Sequence, residues 1–177
     1  MISPIVVFPD PILREIIDSQ VEEIDVELVS KMKSTLNGLM SDWLTAKHLG
    51  HSCQIVAIKI QDGIEILINP KILERKGRFF SRIEMDPSFP DLKTSVMRKG
   101  VVNVQFSNEN GEQIERWFSD VTGRSIQQAI DQLQGKLMID YANSHRKRSL
   151  RGYLGRIEKG KFNANYPVKN QQLIDNE

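Results

Sequence analysis

Between residues 55 and 118 the chain carries two pairs of short β-rich runs, while helical periodicity is confined to the segments on either side. Ile55 to Ile60 and Ile64 to Ile68 flank Gln61-Asp62-Gly63, a compact hairpin signal. Val101 to Phe106 and Ile114 to Phe118 flank Asn108-Glu109-Asn110-Gly111 in the same way. Ahead of these pairs Asp25 is placed to cap a helix whose apolar positions Leu28, Met32, Leu36, Leu39 and Met40 recur at helical spacing. Behind them, the stretch from about Arg124 to Asp140 turns Ile126, Ala129, Ile130, Leu133 and Leu137 towards a core. Doubly wound parallel sheets alternate strand and helix along the whole chain, so this segregation predicts an α+β domain.

Charge and cysteine content narrow the setting. The 24 basic and 23 acidic residues leave a net charge of +1, so bulk charge points to neither a nucleic-acid nor a membrane partner. At 177 residues the chain has the length of one domain with a sizeable core. No apolar run reaches membrane-spanning length, and Met1-Ile2-Ser3-Pro4 lacks the basic start of a signal peptide, so a cytoplasmic location is expected. The single cysteine, Cys53, excludes an internal disulfide, fits a reducing compartment and reads as a small apolar residue beside a strand.

The second helical segment carries the most specific motif. Gln127-Gln128-Ala129-Ile130-Asp131-Gln132-Leu133-Gln134-Gly135 has the frame of Q-H-E-x-D-H-L-x-G. In H-E-x-x-H two histidines one helical turn apart hold a metal, and the glutamate between them is the general base. Those positions here are Gln128, Gln132 and Ala129. An amide is a poor ligand for Zn²⁺ or Fe²⁺, and a methyl group accepts no proton.

Three further segments fit one family in the same order. Phe8-Pro9-Asp10-Pro11-Ile12-Leu13-Arg14 is similar to a P-D-x-x-L-R opening, and Ile68-Asn69-Pro70-Lys71-Ile72-Leu73 to I-N-P-x-L-L. Glu84-Met85-Asp86-Pro87-Ser88-Phe89-Pro90 matches the frame of E-G-C-L-S-V-P. Over roughly residues 1 to 145 the chain thus resembles peptide deformylase, the metallohydrolase that removes the N-formyl group from nascent bacterial polypeptides. The resemblance implies antiparallel sheets packed around a central helix that carries the degenerate H-E-x-x-H position.

It also implies an Fe²⁺ or Zn²⁺ site of two histidines and one cysteine. The ligand positions here hold Asp86, Gln128 and Gln132, so no metal or other cofactor is expected. The family motif G-x-G-L-A-A-x-Q fits Ser41 to His48, which sets His48 at the glutamine position and Ser41 and Trp43 at the glycines, narrowing the pocket. Sliding this frame presents Gln54 instead, but the spacing to Gly50 and the following strand favours His48. The family's oxyanion is held by the metal, that glutamine and the N–H after the ligand cysteine. The last position is Pro87, which has no N–H to donate. Losing one such donor elsewhere costs roughly 10²–10³ in rate. His48, Pro87 and Ala129 are therefore degenerate catalytic positions, with His48 expected to line a cleft. Glu84 with Arg98 is expected as a structural ion pair, and Asp131 as a structural hydrogen-bonding group.

The C-terminal segment, residues 146–177, reads as a basic helix and tail appended to a domain of residues 1–145. Leu150, Tyr153, Leu154 and Ile157 form an apolar stripe beside Arg146, Lys147, Arg148 and Arg151, the candidate partner-binding residues. Gly152 and Gly155 weaken such a helix by roughly 1 kcal/mol each, and Asn163 to Pro167 is expected to end it in a fraying tail. This helix resembles the one by which some bacterial peptide deformylases dock on the ribosome, where RNA phosphates suit a basic face. Two functions follow. One is a non-catalytic homologue binding a nascent peptide, the ribosome or a protein partner, with neither membrane nor DNA involved. The alternative is an active deformylase, or a divergent hydrolase with a rearranged site.

Overall fold

The computed structural model of the chain describes residues 1–169. Its strands are β1 (Ile5–Val6), β2 (Trp43–Thr45), β3 (Ile55–Ile60), β4 (Gly63–Glu84), β5 (Thr94–Ser107), β6 (Gln113–Phe118) and β7 (Val168–Lys169). Its helices are α1 (Val26–Gly38), α2 (Asp120–Leu133) and α3 (Ser144–Ile157). Strands β2 to β6 form one antiparallel sheet in sequence order, and β1 pairs in parallel with β7. This is the expected α+β arrangement.

Both hairpins form where the turn residues place them. Gly63, at φ 136°, opens β4 opposite Ile60, and the Asn108 side chain accepts from the N–H groups of Asn110 and Glu112 to fold the second turn. The sequence did not announce the length of β4. Pro70 and Gly77 are residue types that usually interrupt a strand, yet bulges near Ile68, Ile72 and Lys76 absorb them and let β4 continue for 22 residues. Bulges tolerate such residues because the extra position leaves the ladder.

Each face of the sheet is covered by a different helix. Ile126, Ala129, Ile130 and Leu133 of α2 pack on Val56, Ile58, Leu67, Val102, Val104 and Phe118. On the other side Leu28, Val29, Met32 and Leu36 of α1 meet Leu44, Ala57, Ile66 and Ile68. Asp25 caps α1 by accepting from the Leu28 N–H at 3.0 Å. Met40 lies beyond the helix and is 88 % exposed, so it does not belong to the apolar stripe assigned to it. Among the described residues no helix is long and apolar enough to cross a membrane.

Helix α2 also stops short of the expected Asp140. Gly135 follows its end at φ 72°, and the chain turns through Met138–Tyr141, carrying Leu137 into a third cluster with Val6, Leu13, Phe89 and Val96. Leu150 of α3 joins that cluster, with Tyr153 and Leu154 at its edge. The basic helix therefore starts at Ser144, capped by Asn143, and its apolar stripe packs into the body of the domain. Nor does the following segment fray as expected. Asn163 N–H donates to Asp91 at 3.0 Å, the Tyr166 hydroxyl donates to Pro87 O at 2.8 Å, and Val168 pairs with Ile5. The remainder of the expected tail, residues 170–177, lies outside the described residues.

Gly135 is required twice over, by its left-handed backbone and by the chain beside it. A Cβ here would lie 2.5 Å from the Arg14 carbonyl oxygen. Gly135→Ala is expected to destabilise the domain by about 2 kcal/mol or more, read as a lowered urea midpoint at unchanged slope.

Candidate functional site

Four elements bring the motif-derived positions together. Thr45 ends β2, His48 sits in the 3₁₀ turn Ala46–Leu49, Asp86 follows β4, and Gln128 and Gln132 lie one turn apart on α2. Asp86 is the hub. Its Oδ1 accepts from the Ser88 N–H at 2.7 Å and faces His48 Nε2 at 2.9 Å, while Oδ2 accepts from Gln132 Nε2 at 3.1 Å. His48 Nδ1 lies 3.0 Å from the Thr45 N–H, which always donates. The neutral ring therefore carries its proton on Nε2, directed at Asp86.

The Thr45 hydroxyl completes the cluster. It lies 3.1 Å from His48 Nδ1 but donates to Gln132 Oε1, because the backbone N–H already fills the imidazole lone pair. A hydroxyl, an imidazole and a carboxylate thus stand in the order of a nucleophilic triad without its chemistry, since no proton passes from hydroxyl to ring. Thr45 and His48 are fully buried, and Gln132 is 1 % exposed. His48 accordingly lies beneath the cleft instead of lining it as expected. Trp43 packs edge-on against it at 5.1 Å and fills the space that glycine would leave.

Gln128 takes a different direction. Its Nε2 donates to Met85 O at 3.0 Å, and its side chain shares the cleft wall with Asp86. Ala129 is packed in the core. The cleft, about 730 Å³, is rimmed by the exposed apolar side chains Met40, Ile83, Met85 and Val121 and walled on one side by Asn163 to Tyr166. Pro87 lies in its lining and offers no N–H.

A buried ionic network holds the strand that leads into Asp86. Arg98 grips Glu84 with two bonds, at 2.6 and 3.0 Å, and reaches Asp131 at 2.7 Å. Tyr141 donates to the same Asp131 oxygen at 2.6 Å. The expected structural roles of Glu84, Arg98 and Asp131 are thereby met. Arg124, which the sequence reading passed over, adds a bond to Glu84 at 2.9 Å and fastens α2 to β4.

Lys47 was also missed, and its only signal was a cation inside the otherwise uncharged run from Trp43 to Leu49. It is fully buried, with Nζ donating to Gln132 O at 2.7 Å and to Glu15 O. The last turn of α2 is favourable for a cation because unpaired carbonyls gather there. Of the basic residues on α3, Lys147, Arg148 and Arg151 point into solvent, while Arg146 also bonds Lys93 O at 2.9 Å.

The same fold and residue order recur in known proteins. The family model described as "Polypeptide deformylase" matches residues 2–148. The chain belongs to the peptide deformylase family. It is 30 % identical over 181 residues to a peptide deformylase of Chlorobium phaeobacteroides, covering 95 % of each chain. To the peptide deformylase of Christiangramia forsetii it is 26 % identical over 189 residues, covering 96 % of each. Among solved structures, a plant peptide deformylase superposes with a TM-score of 0.82 at 26 % identity, over 94 % of this chain and 96 % of that one. The enzyme of Thermotoga maritima gives 0.75 at 28 %, over 81 % and 99 %. The resemblance read from the motifs is therefore one of family and fold.

Burial lowers the pKa of Lys47 from 10.5 to about 8. Between those values the unfolded chain holds a proton that the folded chain has released, so stability rises with pH across this window. Relative to Lys47→Met, the natural chain is expected to gain stability between pH 7 and pH 10. Urea midpoints of both proteins at the two pH values check this, and a constant difference between them would refute it.

Proposed function

We propose that this family member binds polypeptide N-termini in its cleft without hydrolysing them through a family metal. The observation that carries the reading is the closed hydrogen-bond cluster that Asp86 and Gln132, at two of the family's three metal positions, form with His48 and Thr45. Fe²⁺ and Zn²⁺ sites are built from imidazole and thiolate. The donors here are one carboxylate, two amides and a histidine whose Nε2 carries its proton. Ligation through Nε2 would need that proton on Nδ1, against the Thr45 N–H at 3.0 Å. This donor set does not fit the family metal. Ala129 supplies no base and Pro87 no amide donor.

The retained cleft supports the binding half of the proposal. Its rim of Met40, Ile83, Met85 and Val121 suits an apolar first side chain, and its volume of about 730 Å³ is that of a small-ligand site.

A second reading has its own support. The relatives above are named peptide deformylases and match this chain over nearly their full length, which favours an N-formylmethionine hydrolase acting through the same cleft. The comparisons favour this hydrolase reading, whereas the side chains at the metal positions favour the first. One experiment separates them. After anaerobic purification, metal content is measured alongside formate release from formyl-Met-Ala-Ser. The first reading expects no stoichiometric iron or zinc and no formate. Formate release that a chelator abolishes and Asp86→Ala removes would overturn it in favour of the second.

The proposal extends to a partner. Lys147, Arg148 and Arg151 form an exposed basic face on α3, suited to ribosomal RNA in a cytoplasmic setting. Reversing these three charges is expected to reduce cosedimentation with ribosomes at low salt, with a stability change of only about 0.5 kcal/mol per site. Equal recovery of variant and natural chain in the pellet, or absence of both, would refute this docking role.

A further inference from the structure

We infer that the outer half of β4 is a track for acidic residues downstream of the terminus held in the cleft, an inference that rests on the peptide-binding reading above. Strand β3 pairs with β4 only from Gly63 to Ile68, and β5 takes the opposite edge through Glu84. Beyond Ile68, one edge of β4 therefore carries no described strand. An extended chain leaving the cleft beside Ile83 and Met85 has this edge as its continuation, in the manner of strand addition. Phe80 O is already held by Arg124 at 3.0 Å and Met85 O by Gln128 at 3.0 Å. Side chains more than a full backbone ladder must then carry the recognition.

Those side chains have one sign. From Lys71 to Ile83 the strand presents Lys71, Arg75, Lys76, Arg78 and Arg82 against a single carboxylate, Glu74, which lies 3.5 Å from Lys76. Among the described residues Arg75, Arg78, Arg82 and Lys99 form no ion pair. Pairing Phe79 with Lys99, Ser81 with Met97 and Ile83 with Ser95 sets three apolar side chains on one face. Phe79 is 62 % exposed, Ile83 60 % and Met97 53 %.

The chemistry selects the occupant. A second copy docked isologously would set these cations against one another. Single-stranded nucleic acid binds through aromatic platforms, and two of the three apolar residues are aliphatic. A polypeptide with apolar and acidic side chains satisfies both the patch and its charge. Exposed cations on a free strand edge also serve simply to block aggregation, a role that would leave them indifferent to the ligand's sequence.

Three labelled peptides test the inference by fluorescence anisotropy: formyl-Met-Ala-Ser alone, and the same start followed by six residues rich in Glu or in Lys. The Glu-rich peptide is expected to bind about ten-fold more tightly than the Lys-rich one, a gap that closes at roughly 0.5 M salt. Arg75→Ser with Arg78→Ser should abolish that gap while leaving the tripeptide's affinity unchanged. Equal affinities for both long peptides overturn the track, as does single-stranded RNA that displaces the Glu-rich peptide more effectively than unlabelled peptide does. If the tripeptide fails to bind, the cleft reading falls on its own. The track then stands if the Glu-rich peptide still binds and loses affinity in the double variant, and falls if it does not bind.

Discussion

A buried carboxylate, Glu84, fixes the geometry of everything around the cleft. It receives Arg98 from β5 and Arg124 from α2, while Arg98 continues to Asp131 and Tyr141. Strand, helix and the turn after the helix are thereby tied at a single point. Such a network is stabilising only while complete, because removing one partner strands a buried charge at a cost of about 3–5 kcal/mol. Asp86 lies two residues later, in the loop that follows β4, and inherits its direction from this anchor.

The cluster beneath the cleft shows how altered residues support one another. An aspartate here, taken alone, would be a buried charge. It is stabilised by His48, Gln132 and the Ser88 N–H together, and the imidazole is oriented for it by the Thr45 backbone. Gln132 in turn has its carbonyl oxygen satisfied by the Thr45 hydroxyl. A fully satisfied buried network specifies one arrangement, and a half-satisfied one costs more than an apolar core. The residues at these positions form a mutually consistent hydrogen-bonded set.

How much of this was legible in the sequence depended on the range of the interaction. Asp25 as a cap, the hairpin turns and the α2 stripe as far as Leu133 are local, and each lies where its residues placed it. The convergence of Asp86 with Gln132 was accessible through motif frames, since they preserve the spatial meaning of a position. What escaped were properties set by distant partners. The burial of His48 and Lys47 depends on how β2 packs beneath α2, and β4 outruns its breakers because β5 stays paired through the bulges. The ordered segment after α3 was hidden for a similar reason, as its hydrogen bonds go to Pro87, Asp91 and Ile5, far away along the chain.

The pairing of β7 with β1 sets an order in time as well as in space. Ile5 leaves a ribosome well before Val168, which follows only after nearly all the rest of the described chain. Until then the Tyr166 hydroxyl cannot reach Pro87, and one wall of the cleft does not exist. A growing copy of this protein thus presents an unfinished groove until Val168 has emerged. The cleft takes its full shape only once β7 has paired with β1.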